Sequence, residues 1–399
     1  MTTPFAPSSR SAVAPFEVMD VLATVARMRA EGREVISLCA GEPSQGAPSA
    51  VQAAASRIHG EARPLGYTPA LGTAPLRAAI AGHYARWYGL DLDPAEVAVT
   101  TGSSGGFVLA FLAAFDHGDR VALARPGYPA YRNILASLGC EVVDIATGPV
   151  ERYQPTVAQL EEEHARAPLA GLVLASPANP TGTMVDRGEL AAIAAWCSAH
   201  GVRLVSDEIY HGVTYGDGPD AKGVCAREVD EHAIVVSSFS KYWGMTGWRL
   251  GWLLVPQDLR AAVDALAGNI ALCPPAAAQE AAVAAFDEAT YAEGEAARLE
   301  FARAREVLLA RAPELGWGAA APADGAFYYW AELGEAMHGF ADAREYASAL
   351  LEATGVAVTP GGDFDPVAGS RCVRLSLAAG PEAIAEALDR IIAWQGAHG

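Results

Sequence analysis

Ile234-Val-Val-Ser-Ser238-Phe-Ser-Lys241-Tyr-Trp-Gly-Met-Thr-Gly-Trp-Arg249 joins a short apolar run to a cluster of reactive and cationic side chains. Ile234–Val236 is β-branched, short and bounded by serine, which reads as a buried strand. Just beyond it stand Ser238, Ser240, Lys241 and Arg249. A lysine amine forms a Schiff base with an aldehyde, and an aldehyde that carries a phosphate tail needs donors for that phosphate. The two serines offer O–H donors. Arg249 offers a planar, permanently charged fork that fits phosphate bidentately. In isolation the stretch also fits a serine-rich loop with an exposed lysine, so its surroundings decide.

The same arrangement recurs upstream. Short apolar runs at Val97–Val99, Val121–Ala124, Leu172–Ala175 and Arg203–Val205 alternate with longer helical stretches. Buried strands alternating with helices give a largely parallel sheet covered on both faces. Such sheets bind ligands outside the carboxyl ends of their strands, where the suggestive segments fall. Residues 1–15 read as an arm. Phe16, Met19, Leu22, Val25 and Ala26 follow at helical spacing and Gly32 ends them; Val35–Leu38 then leads to Gly41-Glu42-Pro43. The Ala-rich stretch 276–310 reads as one long helix. After Pro322 come strands at Ala326–Trp330, Val356–Val358 and Cys372–Leu377, and helices at Tyr346–Ala353 and Glu382–Trp394. The expected division is residues 1–43 as an arm and helix joining a small α+β domain, 44–285 as the large domain, and 286–399 as the small C-terminal domain.

The 399 residues are 51% apolar and 19% charged, the balance of a globular chain. A formal charge of −19 is the wrong sign for nucleic-acid binding. No apolar run reaches the roughly 18 residues that span a bilayer, and no secretory signal is read at the start. Cys39, Cys140, Cys197, Cys225, Cys273 and Cys372 are scattered without a CxxC pair. Neither a metal site nor a disulfide framework is expected, and reduced thiols suit a cytoplasmic location.

Four further segments carry chemistry. Thr101-Gly102-Ser103-Ser104-Gly105-Gly106 follows a strand and opens an apolar helix, whose first-turn N–H groups can face an anion. Arg125-Pro-Gly-Tyr128-Pro-Ala-Tyr131 places a tyrosine that can stack on a heteroaromatic ring. Ser176-Pro-Ala-Asn179-Pro-Thr-Gly fixes an amide donor at a strand end. Ser206-Asp207-Glu208-Ile-Tyr210 puts a carboxylate at the end of a buried run, costly unless paired; a protonated pyridine nitrogen is such a partner. The joint reading is a lysine-anchored pyridoxal 5′-phosphate site.

These segments resemble the class I/II aminotransferases of the aspartate aminotransferase superfamily, the fold type I pyridoxal phosphate enzymes. The resemblance runs from about Phe16 to the C-terminus. Its motifs stand in the family's order: Gly41-Glu-Pro, Gly66-Tyr67-Thr-Pro-Ala-Leu-Gly72, Gly102-Ser-Ser, Tyr128, Asn179-Pro-Thr-Gly, Asp207-Glu-Ile-Tyr210, Ser238-Phe-Ser-Lys241, Gly247-Trp-Arg249, and Arg374 in Val-Arg-Leu-Ser. It implies an α/β fold with a mostly parallel seven-stranded sheet covered by helices, plus the smaller α+β domain. It implies an enzyme that moves the amino group of an L-amino acid to a 2-oxo acid by a ping-pong mechanism, in a homodimer with active sites at the subunit interface. By the same resemblance Lys241 forms the Schiff base and shuttles the substrate Cα proton, and Asp207 pairs the pyridine nitrogen. Asn179 and Tyr210 hold the ring oxygen, and Tyr128 stacks on the ring. Ser103, Ser104, Ser238, Ser240 and Arg249 hold the phosphate, with Tyr67 reaching it from the neighbouring subunit. Arg374 clamps the substrate carboxylate, assisted by the Gly41 backbone N–H and Asn179.

The chain departs from the family at three points. Ser44-Gln45-Gly46 replaces a common Asp-Phe after Gly-Glu-Pro, at the expected substrate entrance. Trp243 is bulky and is expected to crowd the cofactor side. Ser104 stands where some bacterial aspartate aminotransferases carry a lysine for a distal carboxylate. A neutral or aromatic donor is therefore expected to be handled better than aspartate. An elimination, replacement or cyclisation reaction on the same scaffold is the alternative, since the cofactor supplies the electron sink to all of them. A DNA-binding regulator built on this fold is disfavoured by the acidic charge, the short segment ahead of Gly41 and the presence of the lysine.

Overall fold

In the computed structural model, which describes residues 5–397, seven strands form the larger sheet. Their spatial order is Val97–Thr100, Gly251–Leu254, Ile234–Ser238, Arg203–Asp207, Gly171–Ala175, Arg120–Arg125 and Glu141–Ala146. The five apolar runs legible in the sequence are all strands, each a residue or two longer than its apolar core. Val97–Thr100 and Ile234–Ser238 are buried along their whole length, as strands covered on both faces must be.

Two strands escaped the sequence reading. Glu141–Ala146 is an edge strand, charged or exposed at its ends. Gly251–Leu254 is short and runs antiparallel to both of its neighbours, the one reversal in an otherwise parallel sheet. That reversal matters for the site. Gly251, its first residue, pairs with the last residues of both neighbours, Thr100 and Ser238. Arg249, two residues earlier, is thereby delivered to the carboxyl ends of the parallel strands.

The smaller layer is a three-stranded antiparallel sheet in the order Thr359–Pro360, Cys372–Ser376, Tyr328–Glu332. Ile36–Ser37 pairs in parallel with Val356–Ala357 beside it. The N-terminal helix spans Glu17–Ala30 and buries Val25 and Met28 against Leu351 and Ala357. Its expected apolar stripe is split, because Met19 and Leu22 do not join that core. The expected single helix over 276–310 is also corrected. Ala276–Ala282 and Glu288–Arg311 are separate helices joined by a 3₁₀ turn at Val283–Phe286. Asp287 is extended (φ −73°, ψ 151°) and starts the second helix, a break that Ala-rich composition conceals.

Among the described residues, no helix is long and apolar enough to cross a membrane. Among the same residues, no group of three or more His, Cys, Asp or Glu is placed to hold a metal ion. All six cysteines are free.

Candidate active site

A cavity of about 430 Å³ opens at the carboxyl ends of the parallel strands and gathers most of the sequence-predicted residues. At one end the helix Gly102–Ala114 starts without a side-chain cap, so its first-turn N–H groups are not taken up by Thr101. Ser103, Ser104, Ser240 and Arg249 line this end. Gly102 has φ +71°, and a Cβ there would lie 2.4 Å from the Arg249 guanidinium. Only glycine lets the fork approach the helix start. Arg249 itself holds a left-handed backbone (φ 53°, ψ 48°), uncommon for a residue with a side chain, and donates to the Thr246 carbonyl at 2.8 Å. Oriented N–H groups, hydroxyls and a guanidinium give this end the donors that a phosphate needs.

Lys241 and Asp207 occupy the middle of the cavity. The Lys241 amine donates to the Gly41 carbonyl at 2.5 Å and stands 5.5 Å from the centre of the Tyr210 ring. Burial lowers its pKa to about 8, and the positive charges of Arg374 and Arg249 add to the effect. Asp207 is 3% exposed. Burial raises its carboxyl to about 6, held down by a hydrogen bond from the Tyr131 hydroxyl, by the Ile209 N–H and by the charge on Lys241. Glu208 turns the other way, into the core, where its carboxylate accepts from Ser206 Oγ at 3.0 Å and from the Ala226 N–H at 2.7 Å. Burial pushes it up to about 8.

The other end is built around Arg374, 4% exposed in the strand Cys372–Ser376. Its Nη1 donates to Asn179 Oδ1 at 2.9 Å and its Nη2 to the Cys39 carbonyl at 3.0 Å; Nε has no partner. Its guanidinium lies 4.4 Å from the centre of the Tyr328 ring and 4.8 Å from that of Phe364. Among the described residues no carboxylate forms an ion pair with it. The contact commits the Asn179 amide oxygen to Arg374 and leaves the NH₂ end as the donor available to a ligand.

Not every predicted residue reaches the cavity. Ser238 lies behind it, its hydroxyl 2.9 Å from Ser240 Oγ and 3.2 Å from the Leu250 carbonyl oxygen and accepting the Ser240 N–H at 3.0 Å, so it orients Ser240. Tyr67 is 84% exposed and is not among the residues that line this chain's own cavity. Gly41 lines the cavity, where its carbonyl meets Lys241. Trp243 does not crowd the cofactor side: it is buried in the core, with Nε1 donating to the Ala285 carbonyl at 2.8 Å. Ser44-Gln45-Gly46 does not line the cavity either. The wall there comes from Phe16, Val18 and Leu22 of the N-terminal segment.

Three residues of the cavity lining were not legible as such in the sequence. Tyr131 stands in the sequence only as part of its segment, and its spacing three residues after Tyr128 at a helix start is the available signal. Tyr328, whose hydroxyl meets that of Tyr210 at 2.8 Å, is hidden in an apolar strand. Phe16, whose ring lies parallel to Tyr128 at 6.4 Å, read as helix core.

A lysine amine beside a buried carboxylate, with hydroxyls and a guanidinium at one end and a second guanidinium without an ion-pair partner at the other, suits an aldehyde cofactor held through the lysine. The chain belongs to the aminotransferase class I and II family, which it matches over residues 33–391, and is an aminotransferase of that pyridoxal phosphate-using family. It is 51% identical to valine–pyruvate aminotransferase of Mycobacterium tuberculosis over 96% of this chain and 97% of the relative. A crystal structure of an aminotransferase from the same organism superposes with TM-score 0.94 at 49% identity, covering 98% of this chain and 100% of that one. The Thermus thermophilus aspartate aminotransferase with maleate gives TM-score 0.89 at 32% identity, covering 98% and 99%.

Proposed function

We propose that this enzyme uses pyridoxal 5′-phosphate to transfer the amino group of a neutral aliphatic L-amino acid, of which valine is the type, to a small 2-oxo acid such as pyruvate. The observation that carries the reading is Arg374: a buried guanidinium with a free Nε and no carboxylate partner, facing the same cavity as Lys241 and Asp207. A buried cation without an anion is costly, and a substrate α-carboxylate supplies one bidentately. The residues fit the cofactor. Its phosphate matches the cradle of Ser103, Ser104, Ser240 and Arg249, with Ser238 bracing Ser240. Asp207 suits a protonated ring nitrogen, Asn179 and Tyr210 suit the ring oxygen, and Tyr128 suits the ring face. When bound, the cofactor supplies an electron sink for the pair left by the departing α-proton.

The chain's own residues then divide the work. Arg374, with Asn179 and the Gly41 backbone, orients the substrate. Lys241, whose lowered pKa favours the neutral amine, takes the α-proton and returns it on the other side of the transfer. Asp207 holds its negative charge against the ring nitrogen, and Tyr131 and the Ile209 N–H keep that charge in place. The amino group is stored between two half-reactions, giving ping-pong kinetics.

The specificity follows from charge. Among the described residues Lys241, Arg249 and Arg374 are the cations lining the cavity, and each has a role; Glu42 and Asp363 add two carboxylates to its wall. With Phe16, Val18 and Leu22 alongside, the side-chain end suits an aliphatic group and opposes a second carboxylate. The 51% identity to a valine–pyruvate aminotransferase supports the same choice. We further propose a cytoplasmic homodimer in which Tyr67 reaches the partner's phosphate cradle. Residues 44–285 would form the cofactor-binding domain, and residues 1–43 with 286–399 the smaller one. The test is kcat/KM for valine, alanine, methionine, phenylalanine, arginine and aspartate with pyruvate. Valine should exceed aspartate by about tenfold or more, the cost of mispairing a buried charge. Aspartate leading by tenfold would overturn the proposed specificity.

A further inference from the structure

The loop Gly361–Asp365 carries three consecutive residues that face three parts of the molecule. Asp363 Oδ2 accepts the Val18 N–H at 3.3 Å, in the first turn of the N-terminal helix. The Phe364 ring packs on the Arg374 guanidinium at 4.8 Å. Asp365 Oδ1 accepts from Arg125 Nη1 at 2.8 Å, at the end of the strand Arg120–Arg125. A second tie runs beside this ion pair, since the Gly127 N–H donates to the Phe364 carbonyl at 3.0 Å. Gly127 immediately precedes Tyr128. One turn of chain therefore links the substrate clamp, the cavity wall and the tyrosine proposed to stack on the cofactor.

The ion pair is buried, with the Arg125 and Asp365 side chains 15% and 6% exposed. Asp365 Oδ1 also accepts the N–H groups of Val367 and Ala368, both at 2.9 Å, while Arg125 Nε has no partner. Stability alone is a poor reason for such a pair, because two apolar side chains of similar volume commonly serve as well. Neither residue lines the cavity. The loop has little slack: a Cβ on Gly369 would lie 2.2 Å from the Gly361 carbonyl oxygen. A displacement of Asp365 is passed to Phe364 rather than absorbed.

We infer that Arg125 and Asp365 are positioning residues, whose ion pair sets the spacing between the carboxylate clamp of Arg374 and Phe364 and the loop that carries Tyr128. Substrate affinity then depends on the pair, while cofactor affinity, carried mainly by the proposed phosphate cradle and Lys241 rather than by Tyr128, changes little. The inference rests on the proposed role of Arg374.

The experiment uses the holoenzyme with Arg125→Met, Asp365→Leu, the double substitution and Arg125→Lys. Three quantities are read: the thermal midpoint, the cofactor Kd by titration of apoenzyme, and the spectral Kd for 2-methylalanine, a carboxylate-bearing amine without an α-hydrogen. Each apolar single variant leaves one buried charge alone, so its midpoint falls. The double variant should regain the midpoint and keep cofactor affinity, yet bind 2-methylalanine about tenfold or more weakly, because a misplaced clamp costs affinity at a distance. Binding within about twofold of the parent would show a merely structural pair and overturn the inference. Should the double variant fail to fold, Arg125→Lys decides. It keeps the charge but loses the planar fork, and weaker 2-methylalanine binding at unchanged cofactor affinity is expected. Unchanged binding overturns the inference. Arg374→Met separates the two readings: if it leaves 2-methylalanine affinity intact, the clamp assignment itself fails.

Discussion

The amine of Lys241 must be neutral to attack an aldehyde, so capture of pyridoxal phosphate by the apoenzyme tracks its titration. Burial, with Arg374 and Arg249 nearby, lowers the amine from 10.5 to about 8, against opposing pulls from Glu42 and Asp207. At pH 7 an amine with a pKa near 8 is neutral in roughly one molecule in ten, against roughly one in three thousand for an ordinary lysine. The cavity therefore multiplies the reactive form about 300-fold at neutral pH. Mixing apoenzyme with cofactor and following the visible band from pH 6 to 10 should show a rate rising about tenfold per unit and levelling near pH 8. The surroundings can be titrated too. Arg374→Met removes a charge that lowers the amine, so the midpoint should move up. Asp207→Asn removes one that raises it, so the midpoint should move down. A rate still climbing log-linearly up to pH 10 would mean that the amine is not desolvated, and the reasoning would fail.

Asp207→Ala should cost several powers of ten in kcat/KM, about 4 kcal/mol or more, as for other removed transition-state electrostatics; a loss under tenfold would mean the ring nitrogen is held elsewhere. Tyr131→Phe removes one hydrogen bond to that carboxylate and should cost about 1.5–3 kcal/mol, well short of losing the charge, measured in the same assay. A Tyr67→Phe, Lys241→Ala double variant mixed with parent enzyme should form heterodimers whose working site carries the altered Tyr67 and binds phosphate more weakly. A fully active monomer at low concentration would contradict the dimer.

Most of the larger sheet was legible because buried parallel strands announce themselves as short β-branched runs, and Ile234–Val236 and Leu172–Ala175 are of that kind. Gly251–Leu254 was not legible, because four residues with a leading glycine carry no periodicity. The residues proposed to hold cofactor and substrate were readable since each has distinctive chemistry, most of them just after a strand. Those that support them were not. Tyr131, Tyr328 and Phe364 are aromatics in apolar surroundings, indistinguishable in sequence from core. The direction of a side chain was likewise hidden. Trp243 stands two residues from Lys241 yet points into the core, and Phe16 sits in a helix pattern yet faces the cavity.

The central claim, that Lys241 anchors the cofactor, has a direct test because the chain contains two lysines, Lys241 and Lys222. Lys222 is tied to Glu295 at 3.0 Å and does not line the cavity. Borohydride reduction of the yellow holoenzyme, followed by peptide mass spectrometry, should place a pyridoxyl adduct on the peptide containing Lys241 and bleach the visible band in proportion. An adduct on Lys222, or none on either, would contradict the account.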